Sequence, residues 1–210
     1  MKGKGMFQII FATGNQGKMR EIQAIMGDCK AEIISMKEAG FDLEIEESGT
    51  TFEENALIKA RAVADALAAR GEAQTCVVMA DDSGLEIDCL NGEPGVYSAR
   101  YLGEGTPFDV KSRDFLRRMA DVPEEKRNAR FVCAIAAVFP DGGSVTTNGI
   151  VEGRIGYELR GDNGFGYDPI FYLPEYGRTA AELSDEEKNQ ISHRSRALKL
   201  MKEELKKRMF

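Results

Sequence analysis

The chain has 210 residues, of which 42% are hydrophobic and 30% charged, and its formal net charge is −7. This is globular composition with enough apolar material for a proper core, so disorder as the main state is excluded and one large domain or two closely joined lobes are expected, taken as a single domain over residues 1–210. The acidic balance repels DNA, RNA and anionic membrane surfaces, so a phosphate ligand must find a local cation cluster or a metal.

Cys29, Cys76, Cys89 and Cys133 form no C-x-x-C pair, and at least two lie in apolar runs where a reduced thiol packs, which suits a reducing cytoplasm. Met1 to Phe11 holds only a short apolar run without a cleavage pattern, and no stretch approaches the ~20 apolar residues that cross a bilayer. His193 is the single histidine, which removes multi-histidine metal cages and leaves catalysis to carboxylates.

In chain order, Phe7 to Ala12 reads as a buried strand, and Met19, Ile22, Ile25 and Met26 recur at helical spacing behind it. Ala31 to Met36 predicts a second strand. Thr51 followed by Glu54 is a capping box before a long helix whose stripe is read as Leu57, Ala60, Ala64 and Leu67, with Gly71 as its stop. Cys76 to Ala80 reads as a central strand, and Leu85, Ile87 and Cys89 as a half-exposed one ending at Asn91, Gly92, Pro94 and Gly95. Thr106 to Ala120 predicts a helix, Phe131–Phe139 and Ser144–Val151 a hairpin turning at Pro140 to Gly143, and Ser192 to Arg208 a final helix with Leu198 and Met201 on one face. Mixed strands and helices give an α/β class with a sheet that is not purely parallel.

Four constellations could carry chemistry. Thr13-Gly14-Asn15-Gln16-Gly17-Lys18 joins the first strand to the first helix, where free N–H groups, the helix dipole and a lysine favour an anion; a plain capped turn is the other reading. It is not an ATPase P-loop, because two residues, not four, separate its glycines and Met19 follows the lysine. Asp81-Asp82-Ser83-Gly84 is expected as a turn that brings two carboxylates to the sheet edge for a metal and a base, or as a simple polar turn. Glu44, Glu46 and Glu47 form a second acidic cluster, which either completes a magnesium site or is a solvated face. Gly164-Phe165-Gly166-Tyr167-Asp168-Pro169, with Lys188 and Ser192-His193-Arg194, could offer an open ring to a nucleobase, or Phe165 simply packs, as an aromatic in a glycine loop usually does. Cations at the start of the last helix oppose its dipole, so either Ser192 caps and they are exposed, or they meet an anion or a base carbonyl.

Taken together these segments resemble the inosine/xanthosine triphosphate pyrophosphatase family. The resemblance rests on Ala12-Thr13-Gly14-Asn15 with Lys18 and Glu21; on Thr51-Phe52 with Glu54-Asn55-Ala56; on Asp81 to Leu85 with Pro94-Gly95-Val96-Tyr97-Ser98-Ala99-Arg100-Tyr101; and on Gly164 to Phe171 with Thr179, Ala181-Glu182-Leu183, Lys188 and Ile191 to Arg194. It implies an elongated α/β fold of two lobes, a mixed, twisted sheet flanked by helices, with a nucleotide cleft between the lobes and a homodimer. It implies Mg²⁺-dependent cleavage of ITP, dITP and XTP between the α and β phosphates, giving the monophosphate and pyrophosphate. By the same resemblance Thr13, Gly14, Asn15, Gln16, Gly17 and Lys18 hold the triphosphate, and Asp82 is the base and a metal ligand. Glu47, or else Glu46, is the second metal carboxylate, Ser83 contacts substrate, and Phe165, Gly166, Tyr167, Asp168, Lys188, His193 and Arg194 form the nucleoside end. Asn163 departs from the glycine that many members carry there.

Donors such as Arg194 or His193 suit a 6-oxo acceptor and not adenine's amino group, and a pocket too tight for a 2-amino group would reject guanine. Rival readings are a pyrophosphatase for pyrimidine or modified nucleotides, a nucleotide sensor without turnover, and a nucleic-acid module resting on the basic tail Lys199 to Arg208.

Overall fold

The computed structural model describes residues 7–72 and 76–209. Residues 1–6, part of the segment read for a leader, lie outside the described residues. The strands form one mixed sheet with the order β2-β1-β3-β4-β5-β6-β7, and the chain divides into two compact units. The first holds residues 1–82, 134–148 and 196–210, and the second residues 83–133 and 149–195.

In the first unit, β1 (Phe7–Phe11) pairs in parallel with β2 (Ala31–Ser35) and with β3 (Cys76–Ile87). Ile9, Ile10, Phe11, Val77, Val78 and Met79 are all buried, which is why these segments read as continuous apolar runs. Each such side chain contributes roughly 1.5–3 kcal/mol by leaving water. Helix α1 (Gln16–Met26) buries Met19, Ile22 and Met26, while Ile25 is half-buried. Helix α2 (Phe52–Ala69) starts at the predicted capping box, with both Thr51–Glu54 bonds made. Its C-cap is Arg70, and Gly71 follows at φ +75°, the left-handed position that ends a helix. The buried stripe of α2 is Phe52, Ala56, Ala60, Val63 and Leu67; Leu57 and Ala64 are half-buried, so the predicted face was turned by about one residue.

The largest correction concerns β3. The two short strands and the bend expected at Asp81 to Gly84 are one strand of 12 residues, Cys76–Ile87, and Gly84 adopts no positive φ. Leu85 and Ile87 are fully buried, so the alternation read as a half-exposed strand is the continuation of the central one. Cys89 lies beyond it, in a 3-10 turn over Asp88–Leu90.

In the second unit, β4 (Asn128–Val138) and β5 (Ser144–Ile155) are longer than the predicted hairpin strands, and part of each belongs to the first unit. Helix α3 (Phe108–Arg118) is two residues shorter than expected at either end. β6 (Phe171–Leu173), β7 (Arg178–Thr179) and the seven-residue helix α4 (Asp185–Ile191) were not foreseen. The core gathers Leu85, Ile87, Phe115, Met119, Tyr167, Ile170 and Phe171. Arg127 is buried with them, and its guanidinium donates to the carbonyls of Ile155 at 2.8 Å, Met119 at 2.6 Å, Val122 at 3.2 Å and Gly156 at 2.6 Å. A buried cation is tolerated there because backbone acceptors replace its water. Helix α5 (His193–Met209) closes the chain, with Leu198 and Met201 buried as expected.

Candidate active site

In the first unit the parallel pairing of β1 with β3 sets the chemistry. Phe11 is level with Met79, and the Ala12 N–H donates to the Met79 carbonyl at 2.7 Å. The loop after β1 therefore runs beside Asp81 and Asp82, at the carboxyl end of β1, where its parallel pairing with β3 stops while β3 itself continues to Ile87. In that loop Thr13 Oγ1 accepts from the Asn15 N–H at 3.2 Å, and Asn15 Oδ1 accepts from the Lys18 N–H at 3.0 Å, so Asn15 caps α1. Gly14, Asn15 and Gln16 are exposed, and Lys18 reaches Asp81, with Nζ 3.1 Å from Oδ1.

Asp82 belongs to a second cluster. Lys59 Nζ donates to Glu47 Oε1 at 2.7 Å and to Asp82 Oδ1 at 2.9 Å. In the segment before α2, Glu44 and Glu46 are exposed and Glu47 is half-buried. The Gly49 N–H donates to the buried Asn55 Oδ1 at 2.8 Å, which anchors that segment on α2. Lys59 was missed from the sequence. Its signal was position: it falls on the Phe52–Ala56–Val63 stripe of α2, where a charged residue must find a buried partner.

Burial pushes the Asp82 carboxyl above its ordinary range, while Lys59 and then Lys18 pull it down. For Lys59, burial is the largest influence and lowers its pKa, but Asp82, Asp81 and Glu47 together outweigh it and hold the ammonium above its ordinary value. Among the described residues Asp82 Oδ2 is buried without a hydrogen-bond partner, and no cluster of three or more His, Cys, Asp or Glu side chains is assembled. Two carboxylates converging on one cation, with a further buried oxygen to spare, is a donor set of the hard-oxygen kind that suits Mg²⁺.

The second unit carries the other constellation. Asp168 Oδ2 accepts from the Phe165 N–H at 2.8 Å and from Lys188 Nζ at 2.6 Å, and both Asp168 and Lys188 are buried. Lys188 Nζ lies 4.6 Å from the centre of the half-buried Phe165 ring, and Arg194 Cζ 5.5 Å from it. Arg194 also donates to Ser83 Oγ at 3.0 Å, and His193 stacks on Phe131 with centroids 4.9 Å apart. Ser192 does cap α5, accepting from the Ser195 N–H at 3.1 Å, yet the cations behind it are not exposed: His193 and Arg194 are 6% and 1% accessible. Gly166 is half-buried at φ +69°. Tyr167 stands apart from this group. Its ring is buried against Phe108 and Phe115, its hydroxyl donates to the Ser98 carbonyl at 2.9 Å, and burial holds that hydroxyl well above its ordinary range.

A separate cavity of about 200 Å³ is lined by Glu124, Arg154, Tyr157, Glu158 and Arg160. Its surface charges are paired among themselves, Arg154 with Glu124 at 2.9 Å and Arg160 with Glu158 at 2.6 Å. A cavity of about 20 Å³ adjoins Asp168, Lys188 and His193.

Fold and clusters define an α/β protein with a carboxylate–lysine centre just beyond the parallel pairing of β1 with β3. The chain belongs to the Ham1 family, whose model matches residues 9–204. It is 45% identical to a dITP/XTP pyrophosphatase of Clostridium perfringens, covering 96% of this chain and 98% of that protein. Among solved structures it is similar to the Ham1 protein of Staphylococcus aureus, at 43% identity and TM-score 0.82, covering 95% of this chain and 98% of that one. A HAM1 protein from Coxiella burnetii matches at 40% identity and TM-score 0.84, covering 96% of this chain and 100% of that one. Among the described residues no helix is long and apolar enough to cross a membrane.

Proposed function

We propose that this chain is a nucleoside-triphosphate pyrophosphohydrolase acting on the non-standard purine nucleotides ITP, dITP and XTP, releasing the monophosphate and pyrophosphate. The observation that carries the reading is the contact of Asp82 and Glu47 around Lys59, on a β3 whose next residue, Ser83, is bonded to Arg194.

In this reading Thr13 to Lys18 bind the triphosphate through the α1 N-terminus, and Lys18 and Lys59 offset its charge inside an acidic protein. Asp82 accepts the proton of the attacking water, and its burial raises its basicity for that task. Glu47 and Asp82 would hold Mg²⁺, which when bound polarises the phosphate oxygens. Glu46, exposed in this structure, is the weaker candidate. Phe165 offers a face to the base, and Lys188, His193 and Arg194 offer donors to its 6-oxo group, which adenine's amino donor cannot satisfy. The family relationship supports hydrolysis of nucleoside triphosphates by a metal-assisted route. A single functional domain over 1–210, a homodimer and a cytoplasmic location belong to the same proposal.

The test is pyrophosphate release with Mg²⁺ from ITP, XTP, ATP, GTP, dTTP and UTP by the native chain and by Asp82→Asn. Preference for ITP and XTP, lost in the variant, is the expected result. Preference for dTTP or UTP moves the protein to pyrimidine substrates, binding without release makes it a sensor, and rapid GTP hydrolysis overturns the tight-pocket account of guanine rejection.

A further inference from the structure

Asn163 is an exposed residue whose two nitrogens both serve the same neighbour. Its N–H donates to the Ala181 carbonyl at 3.1 Å, and its side-chain Nδ2 to the Leu183 carbonyl at 3.0 Å. On either side the stitching continues: Thr179 Oγ1 donates to the Arg160 carbonyl at 2.8 Å, and Gly161, at φ +80°, lies so close to Ala181 that a Cβ there would collide with its carbonyl. The loop that carries Phe165 is thus laid directly on the turn over Ala180–Glu182.

That turn leads straight into α4. Ser184 caps the helix, accepting from the Glu187 N–H at 3.2 Å, and the next residue is Lys188. Phe165 and Lys188 are therefore two arms that start from opposite ends of one side-chain hydrogen bond, Phe165 two residues beyond Asn163 and Lys188 five beyond Leu183. The arms meet again at Asp168, which accepts from the Phe165 N–H at 2.8 Å and from Lys188 Nζ at 2.6 Å. At Gly164, φ +73°, a Cβ would collide with Asp168 Oδ2 and lie 3.1 Å from Lys188 Nζ, so the loop backbone rests on this ion pair.

We infer that Asn163 is a positioning residue that presets the spacing of the Phe165 ring and the Lys188 ammonium, so that a base is gripped without prior ordering of the loop. A site whose arms are set in advance loses less freedom on binding. This inference rests on the base-recognition reading of Phe165 and Lys188, and its substrate class is the same 6-oxopurine nucleotides. Asn163 belongs to the same unit as Phe165, Asp168 and Lys188, so its effect falls on base binding and not on the triphosphate.

The experiment compares native protein with Asn163→Ala and with Asn163→Asp, which keeps the shape but lacks the Nδ2 donor. Steady-state kinetics with ITP and ATP, inhibition by inorganic tripolyphosphate and amide hydrogen exchange at Phe165 are read for each. Both variants should raise KM for ITP about threefold to tenfold, the worth of one neutral hydrogen bond, with kcat within about twofold. The ITP-to-ATP ratio of kcat/KM should fall, tripolyphosphate inhibition should be unchanged, and the Phe165 amide should exchange faster. Unchanged KM and exchange overturn the inference. Parallel loss in kcat, KM and tripolyphosphate binding also overturns it, since that marks general loosening. If the native chain fails to hydrolyse ITP, the functional reading falls by itself; exchange at Phe165 then still decides whether Asn163 holds the loop.

Discussion

Lys59 on α2 and Asp82 on β3, 23 residues apart in the chain, hold their charges 2.9 Å from one another in a site where both side chains are largely buried. The contact keeps Asp82 ionisable in a place where burial alone favours its neutral form. Asp82→Asn preserves the shape and removes the base. Turnover should fall by about 10²- to 10⁴-fold while ITP binding, measured by calorimetry, persists. Unchanged turnover would refute the base assignment.

Glu47 accepts from Lys59 at 2.7 Å and is the one half-buried glutamate of its cluster. Glu47→Gln keeps an acceptor but removes a charge that would hold the metal. The Mg²⁺ concentration for half-maximal activity should rise by about 10- to 100-fold, with KM for ITP at saturating Mg²⁺ little changed. The same substitution at Glu46 is the control, and a larger effect there would exchange their roles.

Arg194 is 1% accessible, bonds Ser83 and lies over the Phe165 ring. Truncation to Ala should cut the preference for ITP over ATP by about ten-fold or more, because a buried donor matched to an oxo acceptor discriminates strongly. Tripolyphosphate inhibition should stay near its native level. Equal losses with ITP and ATP would assign Arg194 to the phosphates instead.

Lys111 on α3 is 1% accessible, with Nζ bonded to the Ala99 carbonyl and 4.7 Å from the Phe108 ring centre. Burial lowers its pKa below the ordinary 10.5. Between the lowered folded value and the unfolded one, the unfolded chain binds the extra proton, so native stability gains as pH rises through that window. Lys111→Met has no charge to bury at any pH. Its melting temperature relative to native should therefore be more favourable at about pH 7 than at about pH 10. A difference that does not change with pH would refute the burial cost.

Local rules carried much of this fold. Thr51 and Glu54 form their capping box, Gly71 ends α2, and the apolar runs at Ile9 and Val77 are buried strands, because each is decided within a few residues. One failure needed partners distant in sequence, and another lacked a periodic pattern. Asp81 to Gly84 has turn composition, yet the pairing of β3 with its neighbours carries the strand through it. Helix α4 has the sequence Asp-Glu-Glu-Lys-Asn-Gln-Ile, too short and polar for a periodic pattern. At the site, the resemblance singled out Asp82 and Glu47; Lys59 between them was marked only by its place on the buried stripe of α2, and which acids it meets depends on segments distant in sequence.

The continuity of β3 has a consequence for insertions. Side chains alternate along a strand, so Asp81 and Ser83 share one face and Asp82 the other; Lys18 meets the first acid and Lys59 the second. Adding one residue between Met79, which is level with Phe11, and Asp81 would turn both acids to the opposite faces, moving Asp81 into the register that faces Lys59 and Asp82 into that of Ser83, one pleat beyond Lys18's partner. The spacing thus works by parity: a substitution at Ala80 changes packing, whereas a one-residue indel there flips the face of both carboxylates and leaves one of the two lysines without an acid in its register.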